Sequence, residues 1–236
     1  KHFSPLVARS LEERRMDLPL TPDQQELPDS IRRFTAEQVT QERLAEWERR
    51  PEGIDEGFWR SIADLRWLGL GLPASAGGSG LGLVDVACLL SECGRGLVPL
   101  AVSTAVRGAD ALAVADADAA ELAKLASGAK RISLAIEEER ATEPSAFTSR
   151  LAGDKLSGEK WYVQHATLAD FFLVAARESN GIALVLVPSS GVEIRPLRGF
   201  TSGDGQSTVV FKNAPIARRL CAAAQGEALL SRIRRR

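Results

Sequence analysis

The chain has 236 residues, 44% of them hydrophobic and 26% charged, with 30 basic against 31 acidic side chains and a formal net charge of −1. That length can bury two compact units of roughly 100–200 residues each, and the even charge balance gives no electrostatic case for nucleic acid. No run of eighteen apolar residues is present to span a membrane, and the segment up to Arg15 is too charged to form the apolar core of a secretory signal.

Met16-Asp17-Leu18 is a candidate natural start, which makes Lys1 to Arg15 an upstream extension, and residues 1–16 are set apart from the helical domain as an extension. Thr21-Pro22-Asp23-Gln24 combines an N-cap threonine, a proline at the first helical position and a glutamine three residues on, the marks of a helix start. Leu27, Ile31 and Phe34 follow at helical spacing. Pro28 conflicts with them because it lacks an amide hydrogen and crowds the carbonyl of Gln24, so a kink or restart is expected there. A second helix is predicted from near Asp55, with Phe58, Ile62 and Leu65 on one face, and a third over Leu83 to Cys93, with Leu83, Val86, Ala87 and Leu90 inward. Between them Gly77-Gly78-Ser79-Gly80 lacks the preceding strand and the following Lys-Ser/Thr of a phosphate loop, and reads as a tight interhelical turn.

The alanine-rich stretch Leu97 to Ala126 reads as two helices broken near Asp116 and ended by Gly128. After Lys130 the periodicity changes. Ile132 to Ile136, Lys155 to Val163, Phe171 to Ala176, Ile182 to Val187 and Thr208 to Phe211 are short β-branched and aromatic runs between turn residues, predicting a small antiparallel β-domain of barrel or sandwich type. The fold class expected is therefore α+β: residues 17–127 a helical bundle, 128–222 the β-domain, and 223–236 the start of a further helical unit. Cys88, Cys93 and Cys221 form no CxxC pair, which suggests neither disulfides nor zinc and fits a reducing cytoplasm. Trp47, Trp59, Trp67 and Trp161 are spaced as packing residues, with Trp161 facing away from Tyr162 across its strand. The terminal Arg232-Ile233-Arg234-Arg235-Arg236 reads as a solvated tail.

Gly158-Glu159-Lys160-Trp161-Tyr162-Val163, followed by the strand Phe171-Phe172-Leu173-Val174-Ala175-Ala176, resembles the flavin-dependent acyl-CoA dehydrogenases. Leu72-Pro73 with Gly77-Gly78-Ser79-Gly80 is similar to that family's Leu-Pro…Gly-Gly-x-Gly turn. Glu92-Cys93-Gly94-Arg95 is similar to its Glu-x-Gly-Arg helix ending, with Arg95 tying the helix to its neighbours. The resemblance runs from Leu18 to Leu230, where Gln225-Gly226-Glu227-Ala228-Leu229-Leu230 looks like the opening of the family's C-terminal helical domain.

The resemblance implies FAD as cofactor, an acyl-CoA substrate, and a homo- or hetero-oligomer. It places the flavin contacts at three positions. The family's Thr-Glu-Pro-Gly segment falls on Ile136-Glu137-Glu138-Glu139, its ring-packing tryptophan on Tyr162, and its hydroxyl donor to the hydride-accepting nitrogen on Gln164. All three are departures. A tyrosine can still stack and a glutamine amide can still donate, while three consecutive glutamates would repel a pyrophosphate. A literal Thr142-Glu143-Pro144-Ser145-Ala146 is read as coincidence, because the flavin segment has to leave directly from the strand ending at Ile136. His165 reads as a turn residue with a partly exposed ring, since no cysteine, serine or carboxylate is placed to form a relay with it.

In the family the catalytic base is a glutamate of the C-terminal helical domain, so no glutamate here is given that role. Three readings follow: an acyl-CoA dehydrogenase whose base comes from sequence outside this chain, a non-catalytic partner subunit of a hetero-oligomer, and a truncated inactive product.

Overall fold

The computed structural model describes residues 22–50, 52–197 and 205–235. The extension at 1–16 and the N-cap at Thr21 lie outside them. Among the described residues six helices come first: α1 (Pro22–Gln38), α2 (Gln41–Glu48), α3 (Glu56–Asp64), α4 (Leu83–Arg95), α5 (Leu100–Val114) and α6 (Ala119–Ala126). Short polar side chains start three of them by satisfying an otherwise unpaired amide: Thr40 accepts from Arg43 N, Asp55 from Phe58 N and Asp118 from Glu121 N. Pro28 does not restart α1, which is continuous through it. Asp116 at φ 54 and Gly128 at φ 69 mark the break and the end expected after Leu97.

The helical core collects Ile31, Phe58, Ile62 and Leu89 with three tryptophans, Trp47, Trp59 and Trp67, all buried. The inward face of α4 differs from the expected one. Asp85, Leu89, Glu92 and Cys93 are buried, whereas Leu83 is 52% exposed and Ala87 is exposed. Two carboxylates can turn inward because each is satisfied: Asp85 accepts from Gly82 N at 2.9 Å, and Glu92 accepts both Arg32 Nε and Nη2 at 2.8 Å. Thus Arg32, from α1, makes the tie between helices, while Arg95 reaches Glu92 within its own helix at 3.3 Å and is 69% exposed. Leu65, at the C-cap of α3, is also exposed.

The glycine loop is a turn that folds back on the preceding segment. Ser79 N bonds Gly69 O and Gly80 N bonds Leu72 O. A Cβ on Gly78 would lie 2.2 Å from Leu72 O, so a side chain has no room there.

The sheet part comprises β1 (Ile132–Ala135), β2 (Arg150–Ala152), β3 (Lys155–Gln164), β4 (Phe171–Glu178), β5 (Gly181–Pro188), β6 (Glu193–Pro196), β7 (Gln206–Pro215) and β8 (Arg218–Arg219), followed by α7 (Gly226–Arg234). The order is β6-β7-β3-β2-β4-β5-β8, with β1 beside β4. Most pairings are antiparallel as expected. However, β1 and β2 both run parallel to β4, so the sheet is mixed, and its order is an open one ending at β6 and β8.

One sheet face holds Leu156, Val163, Phe172, Val185, Val209 and Phe211 in a core of its own. The other packs directly on helices: Ile132, Leu173 and Leu184 share one cluster with Leu112 of α5, Leu122 of α6 and Leu230 of α7. Among the described residues, no helix is long and apolar enough to cross a membrane.

Candidate cofactor site

Two backbone irregularities build the site. At the end of β1 the chain leaves Ala135 as Ile136-Glu137-Glu138, and the Glu137 carbonyl accepts the Trp161 amide at 3.0 Å. Opposite it, the register of β3 against β7 shifts between Lys160 and Val163. Such a β-bulge adds an unpaired residue and re-aims side chains. Tyr162 takes a left-handed conformation there, φ 57, uncommon for a bulky residue.

The bulge breaks the alternation expected across this strand. Trp161 is half-buried and its ring lies 6.1 Å from that of Tyr162, centroid to centroid, so the two do not face opposite sides.

Ile136, Tyr162 and Gln164, the three positions expected at a flavin, line one cavity of about 210 Å3. Leu134, Glu137, Gln206, Thr104 and Arg107 complete it. The last two come three residues apart on α5, an alanine-rich helix in which the sequence reading singled out no site residue. The signal that could have found them is the buried Thr104, a hydroxyl on an otherwise apolar stripe. Its Oγ1 donates to Gln164 Oε1 at 3.4 Å, which leaves the Gln164 amide nitrogen as a donor. The Thr142–Ala146 stretch contributes no wall to this cavity; Pro144–Ala146 forms a 3-10 turn.

The three glutamates do not present three bare charges. Glu137 pairs with Arg234 Nη2 of α7 at 3.0 Å, and Glu139 is exposed. Glu138 is buried and accepts from Thr148 N at 2.7 Å, Thr148 Oγ1 at 2.8 Å, Ser149 N at 3.1 Å, the Ser149 hydroxyl and Lys160 Nζ at 2.8 Å. Burial alone would raise the Glu138 carboxyl, but these bonds, with that from Lys160 foremost, outweigh it and hold it below its ordinary range. For Lys160, fully buried over the Phe147 ring at 3.8 Å, burial outweighs the carboxylate and pulls the ammonium down.

His165 starts a turn at φ 48, as expected, but its ring is buried rather than partly exposed. The reason is the packing of Gly205, where an added Cβ would fall 2.7 Å from Nδ1. On that side of the turn lies a second, larger cleft of about 720 Å3, walled in part by Leu44, Trp47, Leu97, Val98 and Leu100.

Burial raises the Cys93 thiol to about 12, which removes it as a nucleophile at neutral pH. Among the described residues no cluster of His, Cys, Asp or Glu could hold a metal.

The cavity suits the edge of a planar ring and falls short of the ~300 Å3 at which small-molecule pockets begin. Within that limit the residues fit: an exposed aromatic wall in Tyr162, an aliphatic one in Ile136, and an amide donor in Gln164.

A helical N-terminal part packed on a mixed sheet is the architecture of an acyl-CoA dehydrogenase chain. Residues 21–120 match the family model for the acyl-CoA dehydrogenase N-terminal domain, and the chain belongs to that family. It is similar to the benzylmalonyl-CoA dehydrogenase of Aromatoleum aromaticum, 34% identical over 176 residues that make up 70% of this chain and 46% of that protein. A solved structure titled Tcur3481-Tcur3483 steroid ACAD, G363A variant, superposes with a TM-score of 0.75 at 31% identity, over 90% of this chain and 60% of that one. A glutaryl-CoA dehydrogenase of Mycobacterium smegmatis in complex with FADH2 shares the fold, with a TM-score of 0.75 at 21% identity, over 91% and 59% of the two chains. The chain spans about half the length of the curated relatives it matches.

Proposed function

We propose that this chain supplies the helical and sheet parts of a flavin-dependent acyl-CoA dehydrogenase, an enzyme that desaturates an acyl-CoA thioester between its α and β carbons. The observation that supports the reading is the convergence of Ile136, Tyr162 and Gln164, from two separate segments, on one cavity. A flavin there would supply the acceptor for the hydride leaving the β carbon. In this reading Tyr162 walls the ring, Ile136 closes its apolar edge, and the Gln164 amide hydrogen-bonds the accepting nitrogen. The leucine and tryptophan walls of the larger cleft suit an apolar acyl group.

The base that takes the α proton is proposed to lie outside these 236 residues. Glu137, which lines the cavity, is committed to Arg234, and Glu138, the next residue in the chain, to Lys160. A second reading, a non-catalytic subunit completed by another chain, is supported by the similar structure whose title names two proteins together.

Purified alone, the chain should be colourless and inactive with an artificial electron acceptor. Co-purified with a complete acyl-CoA dehydrogenase-like chain, it should carry a flavin absorption band whose stoichiometry Tyr162→Ala lowers. Stoichiometric flavin retained by the isolated chain through gel filtration would remove the need for a partner. Unchanged flavin content with both Tyr162→Ala and Gln164→Leu would reject the site.

A further inference from the structure

The Glu138–Lys160 pair touches no face of the cavity, yet it joins the two irregular segments that form its rim. Glu138 follows Ile136 and Glu137 directly, and Lys160 is the last residue of β3 in register before the bulge. Their side chains meet at 2.8 Å with Lys160 wholly buried and Glu138 nearly so. One backbone bond runs parallel to this bridge, from Trp161 N to Glu137 O. On the other side Thr148 and Ser149, which lead into β2, donate their amides and hydroxyls to the same carboxylate. Thus Glu138 is held from β3 and from the segment entering β2 while it holds the β1 exit, and of its partners Ser149 and Lys160 are buried whereas Thr148 is exposed.

A charged pair is an expensive means of filling a core, since an apolar pair of similar volume is often neutral or stabilising. Its distinguishing property is directional: the ammonium and the carboxylate meet in one geometry, whereas apolar side chains slide. The neighbouring Tyr162 sits in a left-handed conformation that a bulky residue keeps only when its surroundings over-determine it.

We infer that Glu138 and Lys160 are positioning residues, a buried clamp that locks the β1 exit to the β3 bulge and thereby aims Tyr162 and Ile136 at the cavity. The clamp's purpose rests on the flavin reading above; its existence as a local lock does not.

The test compares Lys160→Met with the neutral double variant Glu138→Gln/Lys160→Met, which removes both charges and leaves no buried charge uncompensated. Hydrogen exchange is followed at the Trp161 amide and at the Val174 and Val185 amides of the β4–β5 core, alongside thermal melting. In the double variant the melting midpoint should return close to wild type, while Trp161 exchange stays at least tenfold faster than wild type and Val174 and Val185 are unchanged. Recovery of Trp161 protection together with melting, or a uniform loss across all three amides, would reduce the pair to ordinary core packing and overturn the inference.

A parallel flavin titration on the partner-completed complex should show weaker binding in the double variant than in wild type. Local loosening at Trp161 with flavin affinity unchanged would retain the lock and remove its link to the cofactor. Absence of flavin binding in wild type as well would count against the proposed function and leave the exchange result standing.

Discussion

Tyr162 combines a strained backbone with a side chain that gains little from burial: φ is 57 and 49% of the residue is exposed. A non-glycine residue in such a region costs on the order of 1–3 kcal/mol, and glycine adopts it freely. Tyr162→Gly should therefore keep the denaturant midpoint within about 1 kcal/mol of wild type, while the same substitution weakens flavin uptake by the completed complex. A large stability loss would mean that the ring is part of the core. Acid sensitivity traces in part to two other residues. Burial would raise Asp55, but hydrogen bonds from Arg43, the Phe58 amide and Trp47 outweigh it and hold the carboxyl at about 2, against 3.8 ordinarily. Glu138 is likewise lowered from 4.5. A depressed carboxyl contributes stability that is fully present above its unfolded value and is lost as pH falls through its folded one. Stability should thus hold down to about pH 4.5 and decline from there toward pH 2. For Asp55 alone the loss is about 2 kcal/mol. Asp55→Asn should flatten part of that acid limb in urea titrations across this range; an unchanged slope would separate Asp55 from the acid transition.

Helix α7 is held to the sheet by its first residue. A Cβ on Gly226 would stand 1.7 Å from the Ile182 carbonyl oxygen, so only glycine lets the helix start against β5. Leu229, Leu230 and Ile233 then enter the cluster shared with Leu112 and Leu184. Gly226→Ala should lift this helix and cost roughly 1–3 kcal/mol, the range for overpacking. It should also loosen Arg234 from Glu137, visible as faster amide exchange in residues 229–234; melting unchanged from wild type would show that α7 contributes little. The elements themselves were largely legible. Helical spacing gave α3 and the α5–α6 pair, and β-branched runs gave β1, β3, β4, β5 and β7. The missed strands β2, β6 and β8 are two to four residues long, too short for a periodic signal. The inward face of α4 was misread because Leu83-Val84-Asp85-Val86 offers apolar residues on more than one side, and the buried stripe carries carboxylates. Their acceptability depends on Gly82 N nearby and on Arg32, 60 residues away. At the site, resemblance singled out three positions that line one cavity, whereas the bulge, the Glu138–Lys160 contact and the burial of His165 by Gly205 depend on pairings across strands that no local pattern carries.

At the scale of the whole molecule, the described residues leave an apolar region uncovered at the start of α4. Leu81, Leu83 and Val84, at the start of α4, are 41%, 52% and 39% exposed. They adjoin a groove where Leu83, Val86 and Leu90 of α4 face Val106 of α5, Leu134 of β1 and Ile233 of α7. Scattered exposed leucines are ordinary, but a contiguous patch beyond a few hundred Å2 marks an association surface. Here Leu81, Leu83 and Val84 border a groove to which four elements contribute apolar walls, with Arg107 and Asp110 of α5 on its rim, and Asp85 is turned inward. With a net charge of −1 the molecule has almost no long-range repulsion to oppose self-contact. The 236-residue protein should therefore self-associate in the micromolar range, with a sedimentation coefficient that rises with concentration. Leu83→Glu/Val84→Glu should return it to monomer while leaving the melting midpoint close to wild type, because both residues are exposed at the surface and surface changes shift stability by about 0.5 kcal/mol or less. A concentration-independent monomer for the wild-type protein, or association that persists in the double variant, would place the contact elsewhere or remove it.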